Sequence, residues 1–185
     1  VLTFSLSAHH LCGCRNEKSK KPSLPEVHSR WRKMIANKEC AELFGLLDQK
    51  SRWAVISLVR DANEVAKLVE AHYPANRRAR ALARVSLARS SSGPAEWLAG
   101  YCRKRDLLKL LAPLAAQKKS ISREKNRAII SIEGGKRLHF FKDPYGRWGC
   151  TALKKRLKKE QIRMANVLKA TRENARLYQT ASSHR

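Results

Sequence analysis

The chain has 185 residues, 43% of them hydrophobic, enough to build the core of one ordinary domain. Its 40 basic and 15 acidic residues leave a net charge of +25, a field that repels itself unless an anionic partner lies against it. No run approaches the roughly 18 consecutive apolar residues of a membrane span, so a helical integral membrane protein is excluded.

The opening stretch VLTFSLSAHHLCGC places Leu11-Cys12-Gly13-Cys14 in the manner of a lipobox. It lacks a basic region before the apolar residues and is interrupted by His9-His10, which argues against an export signal. The expected location is therefore the cytoplasm or another reducing compartment. Five scattered cysteines, at 12, 14, 40, 102 and 150, are then expected as free thiols. His9, His10, Cys12 and Cys14 are weak metal candidates, because Cys-x-Cys is unlike the usual zinc spacing and no second ligand pair follows. Residues 1–28, polar and broken by Pro22 and Pro25, read as a disordered basic arm.

A helical domain is expected over residues 29–116. Ser29 and Ser51 stand as candidate N-caps before helices at 29–47 and 51–72. Val55, Ile56, Val59, Ala62, Ala66, Val69 and Tyr73 share one face of the second, with Leu58, Val65 and Leu68 beside them, the pattern of a centrally buried helix. Both segments begin Ser-Arg-Trp, but two weak copies do not establish a repeat, and a pair of similar antiparallel helices is the reading preferred. After Pro74, PANRRARALARVSLARS carries five arginines and no acid. Arg77, Arg80 and Arg84 fall on one face, with Arg78 beside them, and guanidinium groups so arrayed suit phosphate. A fourth helix from Pro94 to about residue 111 is expected to bury Trp97, Tyr101, Leu108 and Leu111.

Residues 117–127 read as a linker, followed at 128–185 by a β-hairpin and a long basic helix. RAIISI and KRLHFF flank Gly134-Gly135, a two-residue loop able to take positive φ. That loop sets Glu133 opposite Lys136 and puts Ile129, Leu138 and Phe140 on a core-facing side. Arg137, His139 and Phe141 fall on the other, either a strip of the kind that stacks unpaired bases while holding phosphate or, with Phe141, Tyr145 and Trp148, the completion of a small core. Asp143-Pro144-Tyr145-Gly146 reads as a tight turn, and Arg147-Trp148 as a short third strand or a lead into the last helix. In that helix Leu153, Leu157, Met164, Leu168, Ala175 and Tyr178 form the apolar stripe, while Lys154, Lys155, Arg156, Lys158, Lys159 and Arg163 crowd its first half.

The fold class expected is thus mainly α: an N-terminal helical array with a C-terminal β-hairpin and a long basic helix. Residues 73–185 hold 28 basic and 7 acidic side chains, against 12 and 8 in residues 1–72, so the partner surface belongs to the second part. Nucleic acid, RNA or DNA, is the expected partner, contacted by Arg77, Arg78, Arg80, Arg84, Lys136, Arg137, His139, Phe141, Arg147, Lys154, Lys155, Arg156, Lys158, Lys159 and Arg163. Two alternatives stand beside it. One is a structural subunit whose basic face meets an acidic protein. The other is a small metal-independent nuclease with His139 as acid or base, Tyr145 or Glu133 assisting, and Lys136, Arg137 and Arg147 stabilising the phosphorane. No phosphate loop, zinc-protease helix or nucleophile elbow occurs, and no cofactor is expected.

Overall fold

The computed structural model describes residues 21–183. The chain is mainly helical: α1 (Leu24–Ala36), α2 (Leu43–Leu46), α3 (Gln49–His72), α4 (Ala75–Ala83), α5 (Ser86–Arg89), α6 (Pro94–Lys104) and α7 (Leu107–Leu111) come first. Four antiparallel strands follow, β1 (Lys118–Glu124), β2 (Arg127–Ile132), β3 (Arg137–Lys142) and β4 (Trp148–Cys150), paired in chain order, before the long α8 (Lys154–Ser183).

The first helix starts five residues before the expected Ser29. Ser23 and Glu26 form a reciprocal capping box, and Pro25 sits in the first turn, where its missing N–H costs nothing. Residues 21–28, read as part of the arm on account of their prolines, therefore include a helix start. Residues 1–20 lie outside the described residues, as do the candidate ligands His9, His10, Cys12 and Cys14. The expected continuous helix to residue 47 breaks at Lys38, which takes φ 57°, and resumes as a short 3-10 turn and α2. The two Ser-Arg-Trp copies are not equivalent: Trp31 is fully buried, whereas Trp53 is 58% exposed.

α3 is the centre of the core, burying Val55, Leu58, Val59, Ala62, Val65, Ala66 and Val69. It is capped at Asp48, with Ser51 donating to the Asp48 carboxylate from inside the first turn. Packed along it is α8, whose Leu157, Met164, Leu168, Thr171 and Ala175 are buried. The pairs Glu64 with Arg172 and His72 with Gln179 show the two helices running parallel. At the far end Tyr73 meets Tyr178 edge to face at 5.0 Å. α8 thus closes the hydrophobic face of the helical array.

The segment expected as a linker contains β1, which pairs with β2 from Lys118 opposite Ile132 to Glu124 opposite Arg127. One face of the sheet buries Ala128, Ile130, Ile132, Leu138 and Phe140 against α1 and α2, where the His28 ring meets Phe140 edge-on. A parallel bridge between Leu47 and Cys150, with the Asp48 amide donating to the Cys150 carbonyl at 3.0 Å, ties the sheet to the start of α3.

A second tie is Asp143. Its buried carboxylate accepts from the Arg147 amide at 2.9 Å and the Arg147 guanidinium at 3.1 Å, closing the β3–β4 turn, and from Arg52 of α3 at 3.2 Å. Burial opposes its ionisation, but these bonds and charges outweigh it and hold the carboxyl below its usual range. His28 is also shifted down, first by burial and then by the charges of Arg32 and Lys118. Both groups lose protons more readily folded than unfolded, so both stabilise the fold at neutral pH and lose that contribution on acidification. His28 acts as pH falls below about 6.5 and Asp143 only below about 4. Thermal melts across pH 3–7 are expected to show two declines, and Asp143→Asn should flatten the lower while leaving the upper. A single decline unchanged by Asp143→Asn would contradict this.

Candidate nucleic-acid interface

The hairpin register differs by one residue from the two-residue loop expected. Glu133, Gly134 and Gly135 form a three-residue loop, with both glycines at positive φ and the Ile132 amide donating to the Lys136 carbonyl at 2.9 Å. Ile130 therefore lies opposite Leu138, and Ile129 opposite His139. The hydrophobic pattern explains the choice, since this register gathers Ala128, Ile130 and Ile132 onto the face of Leu138 and Phe140, whereas the shorter loop would divide them. Ile129, expected inside, is on the opposite face.

That opposite face is largely exposed among the described residues, with the start of α3, at Asp48, Gln49 and Lys50, beside its Phe141 end. Across its rows lie Glu124, Arg127 and Phe141, then Ser122, Ile129 and His139, then Ser120, Ser131 and Arg137. Phe141 and Ile129 are half-buried, and Arg127, Arg137 and His139 are exposed. The Arg127 guanidinium lies 5.6 Å from the centre of the Phe141 ring. Two adjoining hollows share Phe141, Thr151 and Lys154 in their walls, so the aromatic ring forms a ridge beside the first turn of α8. Lys136, exposed at the hairpin tip opposite Ile132, falls by alternation on the side of Leu138 and not on this face. Arg127 and the serines were not anticipated, because their placement depends on β1 and on the register.

The second cluster lines a groove between α4 and α8. Arg77, Arg80, Arg84 and Arg163 surround it together with Asn76, Asn166 and Asn174, and no carboxylate is among its lining residues. Arg77 donates to the Tyr178 hydroxyl at 2.9 Å and Arg163 bonds Glu160 at 2.9 Å. Arg80 and Arg84 are exposed without an ion partner among the described residues. On the other flank of α8 acids stand among the bases: Arg60 pairs with Asp61 and Arg172 with Glu64, and Glu173, Lys169 and Arg176 line the same hollow. On the α4 side, Arg163 is the one groove arginine with an ion pair among the described residues. The asparagines were missed from sequence, although Arg163, Asn166, Ala170 and Asn174 stand at helical spacings.

The remaining predicted residues divide. Lys155, Lys158 and Lys159 are exposed on α8 between the two clusters. Arg78 turns back to the Tyr73 carbonyl at 2.7 Å, Arg156 reaches the Tyr101 hydroxyl at 3.4 Å, and Arg147 is committed to Asp143. These three support the fold locally. The residues of the nuclease alternative do not converge, since Glu133 and Tyr145 lie beyond opposite ends of β3, which spans about 16 Å with His139 in its middle. Among the described residues no group of three His, Cys, Asp or Glu side chains is placed to hold a metal ion, and no helix is long and apolar enough to cross a membrane. Compared with protein families, with curated proteins and with solved structures, the chain finds no match in any of the three.

Proposed function

We propose that this protein binds nucleic acid without transforming it, holding phosphates in the α4–α8 groove and stacking unpaired bases on the more exposed face of the sheet. The observation that carries the reading is the acid-free groove. On the other flank of α8, Asp61 and Glu64 pair with Arg60 and Arg172. Four arginines and three asparagines around one concavity, with no acid in its walls and only Arg163 bonded to a carboxylate, instead match the acceptor oxygens of a phosphate backbone. Phe141 and Ile129 amid Arg127, Arg137 and His139 add a surface on which unpaired bases can stack.

Affinity for duplex and single-stranded probes should fall steeply with salt, because each neutralised phosphate releases counterions. Replacing both Arg80 and Arg84 by alanine should lower the slope of log K against log salt for duplex by about 2, close to one per lost phosphate contact. Both side chains are exposed, so melting should hardly change. A nearly flat salt dependence in the wild type, or tight binding of an acidic protein with none of nucleic acid, would overturn the proposal.

A further inference from the structure

The two basic surfaces differ in what they offer a nucleic acid. The sheet face presents a half-buried aromatic ring with Arg127 over one side of it at 5.6 Å, an isoleucine and serines among its cations, with one acid, Glu124, in the same row, and only unpaired bases have free faces to lay on such a surface. The groove presents donors instead. Its two tyrosine rings are occupied with each other, edge to face at 5.0 Å, and Arg77 lies over one of them. What remains is Arg77, Arg80 and Arg84 in a row along one side of α4, about 10 Å long by helical rise, with Arg163 facing them from α8. A row of guanidinium groups without a stacking platform fits a backbone whose bases are already paired.

α8 joins the two. Its first turn brings Lys154 to the hollows beside Phe141, and Arg163, nine residues on, lines the groove, a separation of about 14 Å along the helix axis. Lys155, Lys158 and Lys159 are exposed over that interval, whose one acid, Glu160, is bonded to Tyr101 and Arg163. At about 100° per residue Lys154 and Arg163 stand on opposite sides of α8, and Lys158, Lys155 and Lys159 fall in the arc between them. Resting on the binding function proposed above, we infer that the preferred ligand is a junction: a nucleic acid whose duplex continues into an unpaired segment, with the duplex backbone in the α4–α8 groove and the unpaired bases over Phe141.

Joining two contacts on one ligand makes the second intramolecular, which raises affinity by roughly 10²- to 10⁴-fold when the geometry allows both. The test measures fluorescence anisotropy of the full chain with three labelled probes of equal phosphate number: a blunt duplex, a single strand, and a duplex with a single-stranded overhang. The overhang probe should bind at least tenfold tighter than the better of the other two. Phe141→Ala should remove that gain, a loss of roughly 5- to 100-fold, and leave blunt-duplex binding unchanged. Phe141→Trp, which keeps a stacking face, should restore it and so separates stacking from a packing defect. The double alanine variant at Arg80 and Arg84 should weaken the duplex and the junction but not the single strand.

A gain in either RNA or DNA versions of the probes supports the inference, and the larger gain names the sugar that is read. A junction no tighter than its better component, or variants that weaken all three probes equally, overturns it while leaving nucleic-acid binding itself intact. Absence of binding to every probe instead removes the underlying function.

Discussion

Replacing Gly149 by alanine is expected to destabilise the protein by about 3 kcal/mol or more, whereas Gly45→Ala should be neutral or stabilising by up to about 1 kcal/mol. A β-carbon at Gly149 would lie 2.6 Å from the Asp48 amide nitrogen, a backbone atom with no freedom to swing aside. At Gly45, inside α2, nothing lies within 4 Å of the same addition. Gly149 occupies β4 opposite Phe141, and the close approach it permits is the one through which Cys150 bridges to Leu47 and accepts from Asp48. Alanine must push the sheet away from the start of α3, losing that bond and loosening burial around Phe140 and Trp148. Chemical denaturation of both variants decides it. Equal stability of the two would show that the sheet and helices are less tightly joined than this contact implies.

The two long helices were legible because their stripes are long and regular. Leu153, Leu157, Met164, Leu168 and Ala175 recur at four- and seven-residue spacings and are all buried, and the dense face of α3 is likewise buried. The strands were legible in type but not in register. Arg137, His139 and Phe141 alternate along one strand and share a face whatever the pairing, so their common exposure was readable locally. Which residues of β2 stand beside them depends on whether the loop holds two residues or three, and Gly134-Gly135 suits both. β1 was hidden because KKSISRE is mostly exposed at a sheet edge and has no apolar alternation to betray it.

The arginine groove was half legible. Helical spacing placed Arg77, Arg80 and Arg84 together, but their partner Arg163 is nearly eighty residues away and meets them only because α8 runs parallel to α3. Likewise, nothing local marks Arg147 as bound to a buried carboxylate or Arg78 as turned to a carbonyl. The sequence shows where charge is abundant. Its neutralisation depends on contacts between distant segments, and those separate a fold-supporting arginine from one left for a ligand.

The cysteines required the clearest correction, and they carry the last prediction. Cys40 and Cys102, expected as free thiols, are disulfide-bonded, with their Cα atoms 5.9 Å apart, joining the turn before α2 to α6. Scattered spacing concealed this, because residues 62 apart in sequence are brought together only by packing. The pairing also withdraws the cysteine argument for a reducing compartment, since disulfides persist where the surroundings are oxidising. A crosslink closing a loop of this length restricts the unfolded chain by an amount worth about 4 kcal/mol on the chain-entropy estimate. For a chain of this size that corresponds to roughly 10 °C in melting temperature. Wild type should therefore melt roughly 10 °C lower with reductant than without, while a variant with both Cys40 and Cys102 replaced by alanine should melt at the lower temperature in either condition. Cys150 supplies an internal control: it is a fully buried free thiol, pushed up to about 12 chiefly by burial, and should resist alkylation until the protein unfolds. Peptide mapping after alkylation of the native protein should find Cys40, Cys102 and Cys150 all unmodified, and after unfolding without reductant only Cys150 of the three modified. Alkylation of Cys40 and Cys102 in that unfolded, unreduced sample would show that the crosslink is absent and return the assignment to free thiols.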